Sequence, residues 1–272
     1  MSDTYELIYW PGLPGRGEFV RLAFEESGTA YADLGLTHPR AEPVLEQTDS
    51  KNLGDATSPP PLAPPILRHT DANGSSLLIS QTSNILLYIG ARLGLAPSPG
   101  EPGSFIINGL VLTALDGLCN ETHDTHHPVA TGKYYDDQKE VAKLRAQDYR
   151  ENRLPKFLGY FERVLKGDAS GDGPWLYGGN LTVADLVLFQ ARGPICAWFH
   201  FAYRLTYIQC IDGNKHAFPK AMARLEKSGE YKSVFALWRA VQTRPRIKSY
   251  LESDRRQSYG DGIYRHYPEL DG

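Results

Sequence analysis

Cysteine is scarce. Cys119, Cys196 and Cys210 are the only three in 272 residues, and no C-x-x-C spacing occurs. That argues against a disulfide framework or a zinc module and fits a reducing compartment. Their plain reading is three buried or half-buried thiols. Charge of one sign is also lacking. The formal net charge is -3 and no long Lys/Arg run exists, so the footprint of a nucleic-acid binder is missing. No apolar stretch is expected to reach the about 18 residues of a membrane span. Met1-Ser2-Asp3-Thr4 lacks a basic segment followed by an apolar one, so no secretory signal is expected and the expected location is the cytoplasm. What remains is an ordinary globular composition, 41% hydrophobic and 22% charged, long enough for one large or two small domains.

The first third alternates strand and helix signals. Residues 5–10 read as a strand. Residues 18–27 read as a helix, with Phe19/Ala23 and Val20/Phe24 at i,i+4 and Gly28 as a stop. Residues 37–61 are loop-rich. A strand follows over 63–69, a turn over 70–75, a returning strand over 77–79 and a helix over 84–93. The Pro/Gly-rich stretch 94–103 reads as a linker, dividing the chain into domains 1–94 and 104–272. Beyond it the helical period takes over: 105–127, ending before Pro128; 134–165, bent near Pro155; 217–242; and 246–253. Thr182-Val183-Ala184-Asp185 places a hydroxyl at an N-cap and a carboxylate three residues on, a helix start. The last residues, rich in Tyr, Arg and Gly, are expected to fold over the body as a tail.

Tyr9 closes the first strand and opens the turn Pro11-Gly12-Leu13-Pro14-Gly15-Arg16-Gly17-Glu18. In α/β layers, ligands collect just beyond the carboxyl ends of strands. A phenol there titrates near ~10, so it would act as a hydrogen-bond donor rather than a base. The plainer alternative is a strand tyrosine packed at a domain edge.

Tyr9-Trp10 followed by Gly15-Arg16-Gly17-Glu18, the strand start Pro65-Ile66-Leu67, Gln81-Thr82, and Leu181-Thr182-Val183-Ala184-Asp185 together resemble the cytosolic glutathione transferases. The likeness is to their tyrosine-type branch, near the sigma, pi and mu classes, and the ending Gly262-Ile263-Tyr264-Arg265-His266-Tyr267-Pro268 looks like fungal members. The resemblance implies a thioredoxin-like β-α-β-β-α glutathione-binding domain followed by an all-helical domain. It implies a homodimeric transferase with glutathione as cosubstrate and no metal. Its thiolate, formed beside Tyr9, would attack hydrophobic electrophiles. A hydrogen bond to the charged thiolate lowers the thiol pKa. The turn 11–18 holds no Ser or Cys that would mark the other branches.

By the same resemblance Gln81 and Thr82 hold the γ-glutamyl group where a strand gives way to a helix, a natural anion site. Thr82 capping its own helix is compatible with that role. Pro65 is expected to be cis, leaving the preceding backbone to pair with the cysteinyl part of glutathione. That preceding residue is Pro64, which has no N–H, so only its carbonyl is left to pair and somewhat weaker binding is expected. Arg16 matches the family arginine after the turn, or is a solvated first-turn charge. Lys51 could face the glycyl carboxylate. Asp116 matches the acid that reaches the partner's γ-glutamyl ammonium across a dimer. Trp10, Leu13, Thr122 and His126 are expected to line the electrophile pocket.

His123 and His127 lie i,i+4 on one helix face and invite a metal. No third ligand with suitable spacing follows and Pro128 ends the helix, so no metal is expected. The aromatic, nearly uncharged segment 191–209 interrupts the family pattern. It reads either as a native helix covering the body or a partner, or as a translated intron. Rival functions share the site: a glutathione-dependent isomerase or peroxidase, a ligand carrier, or a non-catalytic binding or regulatory member of the fold.

Overall fold

A computed structural model describes residues 2–189, 210–258 and 262–272; the segment 191–209 lies outside them. The first strand, β1 (Thr4–Ile8), lies inside a four-stranded sheet. It pairs parallel with the two-residue β2 (Ala32–Asp33) and antiparallel with β3 (Ile66–Thr70). β3 pairs antiparallel with β4 (Ser76–Ser80), giving the order β2-β1-β3-β4. Leu7 and Ile8 point to opposite faces, and both are fully buried. Leu7 belongs to the main core. Ile8 packs with Ile66 and Val44 in a smaller cluster on the other side. A sheet covered on both faces needs consecutive apolar residues, not alternation.

The helix α1 (Gly17–Ser27) follows the glycine-rich turn. Gly28 ends it at φ 74°, its N–H donating to the Phe24 carbonyl at 2.9 Å. Two short helices, α2 (Leu34–Thr37) and α3 (Glu42–Gln47), occupy part of the stretch expected to be loop. The β3–β4 turn is held by Asp71, whose Oδ1 accepts the Asn73 and Ser75 N–H groups, both at 2.9 Å. The helix α4 (Thr82–Arg92) then packs beside α1.

The rest is helical, as expected, with different boundaries. The expected helix 105–127 is α5 (Pro102–Thr113), a π-helical turn (Ala114–Cys119) and α6 (Asn120–His126). This continuous run is long and apolar enough to cross a membrane, against the sequence expectation. However, 56% of its apolar window is buried within the protein, as in a core helix. The expected helix 134–165 divides into α7 (Lys139–Asp148) and α8 (Leu154–Lys166) around a π-helical stretch, Tyr149–Arg153. Pro155 falls in the first turn of α8, where its missing N–H costs little.

α9 (Val183–Phe189) starts as the capping pattern requires. Asp185 Oδ2 accepts the Thr182 N–H at 2.7 Å and its hydroxyl at 2.8 Å, while Oδ1 accepts the Leu176 N–H at 2.7 Å. After α10 (Ile211–Ala217), the expected helix 217–242 is two, α11 (Pro219–Ser228) and α12 (Lys232–Gln242). Pro219 and Gly229, at φ 74°, are the breaks. α13 (Pro245–Leu251) packs against α1.

The tail does fold over the helical half. Tyr267 stacks on Tyr135 with ring centroids 3.6 Å apart. Asp271 accepts the Lys220 and Ala221 N–H groups at 2.9 and 3.2 Å, capping α11 from a distance. Strong contacts also tie the sheet half to the end of the helical half. Arg244 Nε donates to Glu26 Oε1 at 2.6 Å, and Arg246 caps the last carbonyls of α1 at Glu26 and Ser27.

Candidate active site

β4 meets α4 at Gln81, which adopts φ 72°, ψ 121°. A non-glycine residue at such a φ is strained, and strain of this kind collects at binding sites. It turns the chain so that Thr82 begins α4 with its backbone N–H groups free. Thr82 is 3% exposed, and its hydroxyl oxygen is buried with no hydrogen-bond partner. An orphaned buried hydroxyl is costly unless something docks on it.

Thr82 lines a cavity of about 320 Å³. That cavity brings together six residues expected from the sequence: Arg16, Pro64, Pro65, Gln81, Thr82 and Asp116. The Pro64–Pro65 bond is cis. Cation, hydroxyl and helix N-terminus converge here with an exposed carboxylate, Asp116. The arrangement suits a zwitterionic ligand bearing carboxylates and an ammonium. Of the other lining residues, Ala63, Leu112, Leu115 and Asn120 were not among the expected site residues. Ser83 follows Thr82 at the helix start and was legible there; Asn120 had no local signal.

Tyr9 is buried beside the cavity and does not line it. Its ring lies flat on the glycine turn. A Cβ at Gly15 would sit 2.1 Å from the phenol oxygen, and one at Gly17 2.7 Å from the ring. Gly15 also adopts φ 40°, so this turn requires glycine for space and for backbone shape. The Arg16 N–H donates to the Tyr9 hydroxyl at 2.7 Å, while the Arg16 side chain reaches the cavity wall and donates to Asn120 Oδ1. Burial pushes the Tyr9 phenol pKa up, against the Arg16 N–H and the charges of Arg21 and Arg16. Tyr9 is therefore a neutral donor.

Behind the turn lies a buried ionic group. Arg21 donates to Asp33 Oδ2 at 2.5 Å, to the Pro14 carbonyl at 3.0 Å and to Glu18 at 3.3 Å. Glu18 in turn accepts from the Tyr250 hydroxyl at 3.0 Å and pairs with Arg256 at 2.9 Å. Two carboxylates against two guanidiniums leave no buried charge uncompensated within this group.

The other expected site residues are not brought to this cavity. Lys51 is exposed on the turn after α3. Trp10 and Leu13 are half-buried against the core. Thr122 is fully buried: its hydroxyl donates to the Leu118 carbonyl at 2.5 Å and lies 2.8 Å from the Tyr149 hydroxyl, which donates to Asn214 at 2.9 Å. His126 is fully buried too, with Nε2 2.6 Å from the Ile263 carbonyl of the tail. Neither lines an open pocket; both belong to the packing between helices and tail. Burial also lowers His126 to about 3 and His123 to about 4, so both rings are neutral at pH 7. A larger cavity, about 630 Å³, lies between the end of α1, the linker and Arg244, and contains none of the expected site residues.

The sheet, the helical half and the cis-proline site together make the glutathione transferase fold. The family model for the glutathione S-transferase C-terminal domain matches residues 123–194 and 205–254. A curated relative, the glutathione S-transferase of Plasmodium falciparum, is 26% identical over 195 residues, 70% of this chain and 79% of its own. Among solved structures, a Nu-class glutathione transferase from Haemonchus contortus aligns with TM-score 0.55 at 19% identity, covering 95% of this chain and 98% of that one. Ure2p5 of Phanerochaete chrysosporium, crystallised with 1-(S-glutathionyl)-2,4-dinitrobenzene, aligns with TM-score 0.56 at 15% identity, covering 92% and 94%. These similarities show the fold, and the family match lies in the helical half.

Proposed function

We propose that the protein binds glutathione in the Thr82 cavity and conjugates it to hydrophobic electrophiles. The orphaned Thr82 hydroxyl carries the reading. It stands at a helix N-terminus, beside a cis-proline and an exposed acid, where a γ-glutamyl group needs acceptor and donor partners. Gln81 and Thr82 would hold the carboxylate and Asp116 the ammonium. The Pro64 carbonyl would accept from the cysteinyl N–H, and the bond that an N–H at this position would make is lost. Tyr9 would donate to the sulfur. The thiol proton leaves to solvent, the sulfur forms its bond to the electrophilic carbon, and on an aryl halide the halide departs. Trp10 and Leu13, just past the same strand, would face the electrophile.

We place the protein in the cytoplasm as a homodimer. Leu62, 87% exposed ahead of the cis-proline, and Phe105, 66% exposed on α5, are apolar surface that a second copy would cover.

A second reading is supported by one observation. Tyr9 stands behind the cavity wall, an arrangement that suits a glutathione-binding module without the chemistry. One pair of measurements separates the two. Calorimetry should show glutathione binding, weakened by about 1–3 kcal/mol in Thr82→Ala, the scale of a lost bond to a charged group. An assay with a generic aryl halide should show turnover. Binding without turnover leaves the module; no binding removes both.

A further inference from the structure

We infer that Asn120 is a positioning residue for thiolate formation, acting through Arg16. This rests on the glutathione reading above. Arg16 touches both Tyr9 and the cavity wall. Its N–H holds the phenol oxygen, and its guanidinium lines the cavity. A long arginine on a glycine-flanked turn would otherwise sample many rotamers. Its side chain is held by Asn120, which accepts from Nη2 across the two halves of the molecule. Asn120 stands where the π-helical turn Ala114–Cys119 gives way to α6, half-buried on the same cavity wall. Such π turns recur at functional sites.

The consequence is specific to the first step. A fixed cation at the cavity wall favours the charged form of a bound thiol. A fixed Arg16 backbone keeps the phenol oxygen occupied as an acceptor, so its proton is directed outward as a donor. Other titratable groups near Arg16 are Tyr9, behind the wall, Asp116 on it, the buried thiols Cys119 and Cys210, and His123 and Asp124 on α6. A neutral carboxamide suits the task because it fixes Arg16 without neutralising it, as an aspartate would.

The experiment measures the pKa of the thiol of bound glutathione by thiolate ultraviolet absorbance. It uses the full-length protein, Asn120→Ala, Asn120→Asp, Arg16→Ala and the Arg16→Ala/Asn120→Ala pair. Asn120→Ala should raise the thiol pKa by about one unit, the low end of the effect of a nearby opposite charge. Asn120→Asp keeps the acceptor and should hold glutathione affinity, with a smaller rise because it offsets the Arg16 charge. In the Arg16→Ala background, removing Asn120 should add nothing, since coupled residues are non-additive. Additive effects, or a thiol pKa unchanged in a folded Asn120→Ala protein, would overturn the inference while the glutathione reading stands. If alanine does not fold, Asn120→Ser, which also lacks the reach to Arg16, replaces it under the same criteria. Wild-type protein that binds no glutathione overturns both.

Discussion

At the scale of single residues, the site is built from what glycine permits and what threonine leaves open. Gly15→Ala should be among the most damaging small changes in the chain. It forces a side chain into a left-handed turn, costing roughly 1–2 kcal/mol, and drives a methyl group into the Tyr9 oxygen. The expected result is a lower melting temperature together with a raised thiol pKa in bound glutathione. Tyr9→Phe separates the two effects. It removes the donor and almost no volume, so the fold should survive while the conjugation rate falls and the thiol pKa rises. Turnover equal to wild type in Tyr9→Phe would remove Tyr9 from the chemistry. These residues were legible in the sequence because their signals are local: a strand end, a glycine turn, a strand-to-helix junction. Asn120 was not, because its partner lies 104 residues away. Thr122 and His126 were misplaced for a related reason. Helical spacing tells which face a side chain is on but not what covers that face, and His126 is covered by Ile263, 137 residues on.

At the scale of elements, prolines and glycines decided where the expected helices divide. Composition could not show how their ends are satisfied. α11 begins with Pro219, so its first donors in need of partners are the N–H groups of Lys220 and Ala221, and both find Asp271. Asp271→Ala should cost about 1 kcal/mol, as loss of an N-cap does. Asp271→Asn should restore part of it, since an amide oxygen still accepts. Urea unfolding of the three proteins measures this. β2 escaped the sequence because two residues, Ala32 and Asp33, carry no alternation to read.

At the scale of the whole molecule, neutral histidines and acidic pH oppose one another. His126 and His216 have folded-state values near about 3 and His123 about 4, all lowered chiefly by burial from an ordinary 6.5. Between those values and 6.5 the unfolded chain takes up protons that the folded one refuses. Their contribution to stability is therefore complete above about pH 6.5 and is lost as pH falls toward 3. Asp185, raised to about 6 by burial, works the other way between about pH 6 and 4, one group against three. The denaturation midpoint should fall between pH 7 and 5, and His126→Gln, which can still donate to the Ile263 carbonyl, should make the fall shallower. The dimer reading is tested at the same scale: Leu62→Glu with Phe105→Glu should give monomers by light scattering, with the helical content unchanged.

The buried ionic group behind the glycine turn ties early chain to late. Glu18 waits for the hydroxyl of Tyr250, 232 residues later, and for Arg256. During synthesis the turn that carries Tyr9 and Arg16 emerges long before its brace exists. Until then Glu18 and Arg21 have only Asp33, the Pro14 carbonyl and each other. On the ribosome, the first domain can collapse early, while the glycine turn is expected to tighten only when the far helix docks. Maturation of the site is thus timed by the arrival of α13 rather than by the folding of the half that contains it. A chain stopped after residue 243 should keep its sheet by circular dichroism and yet show faster amide exchange at residues 15–18.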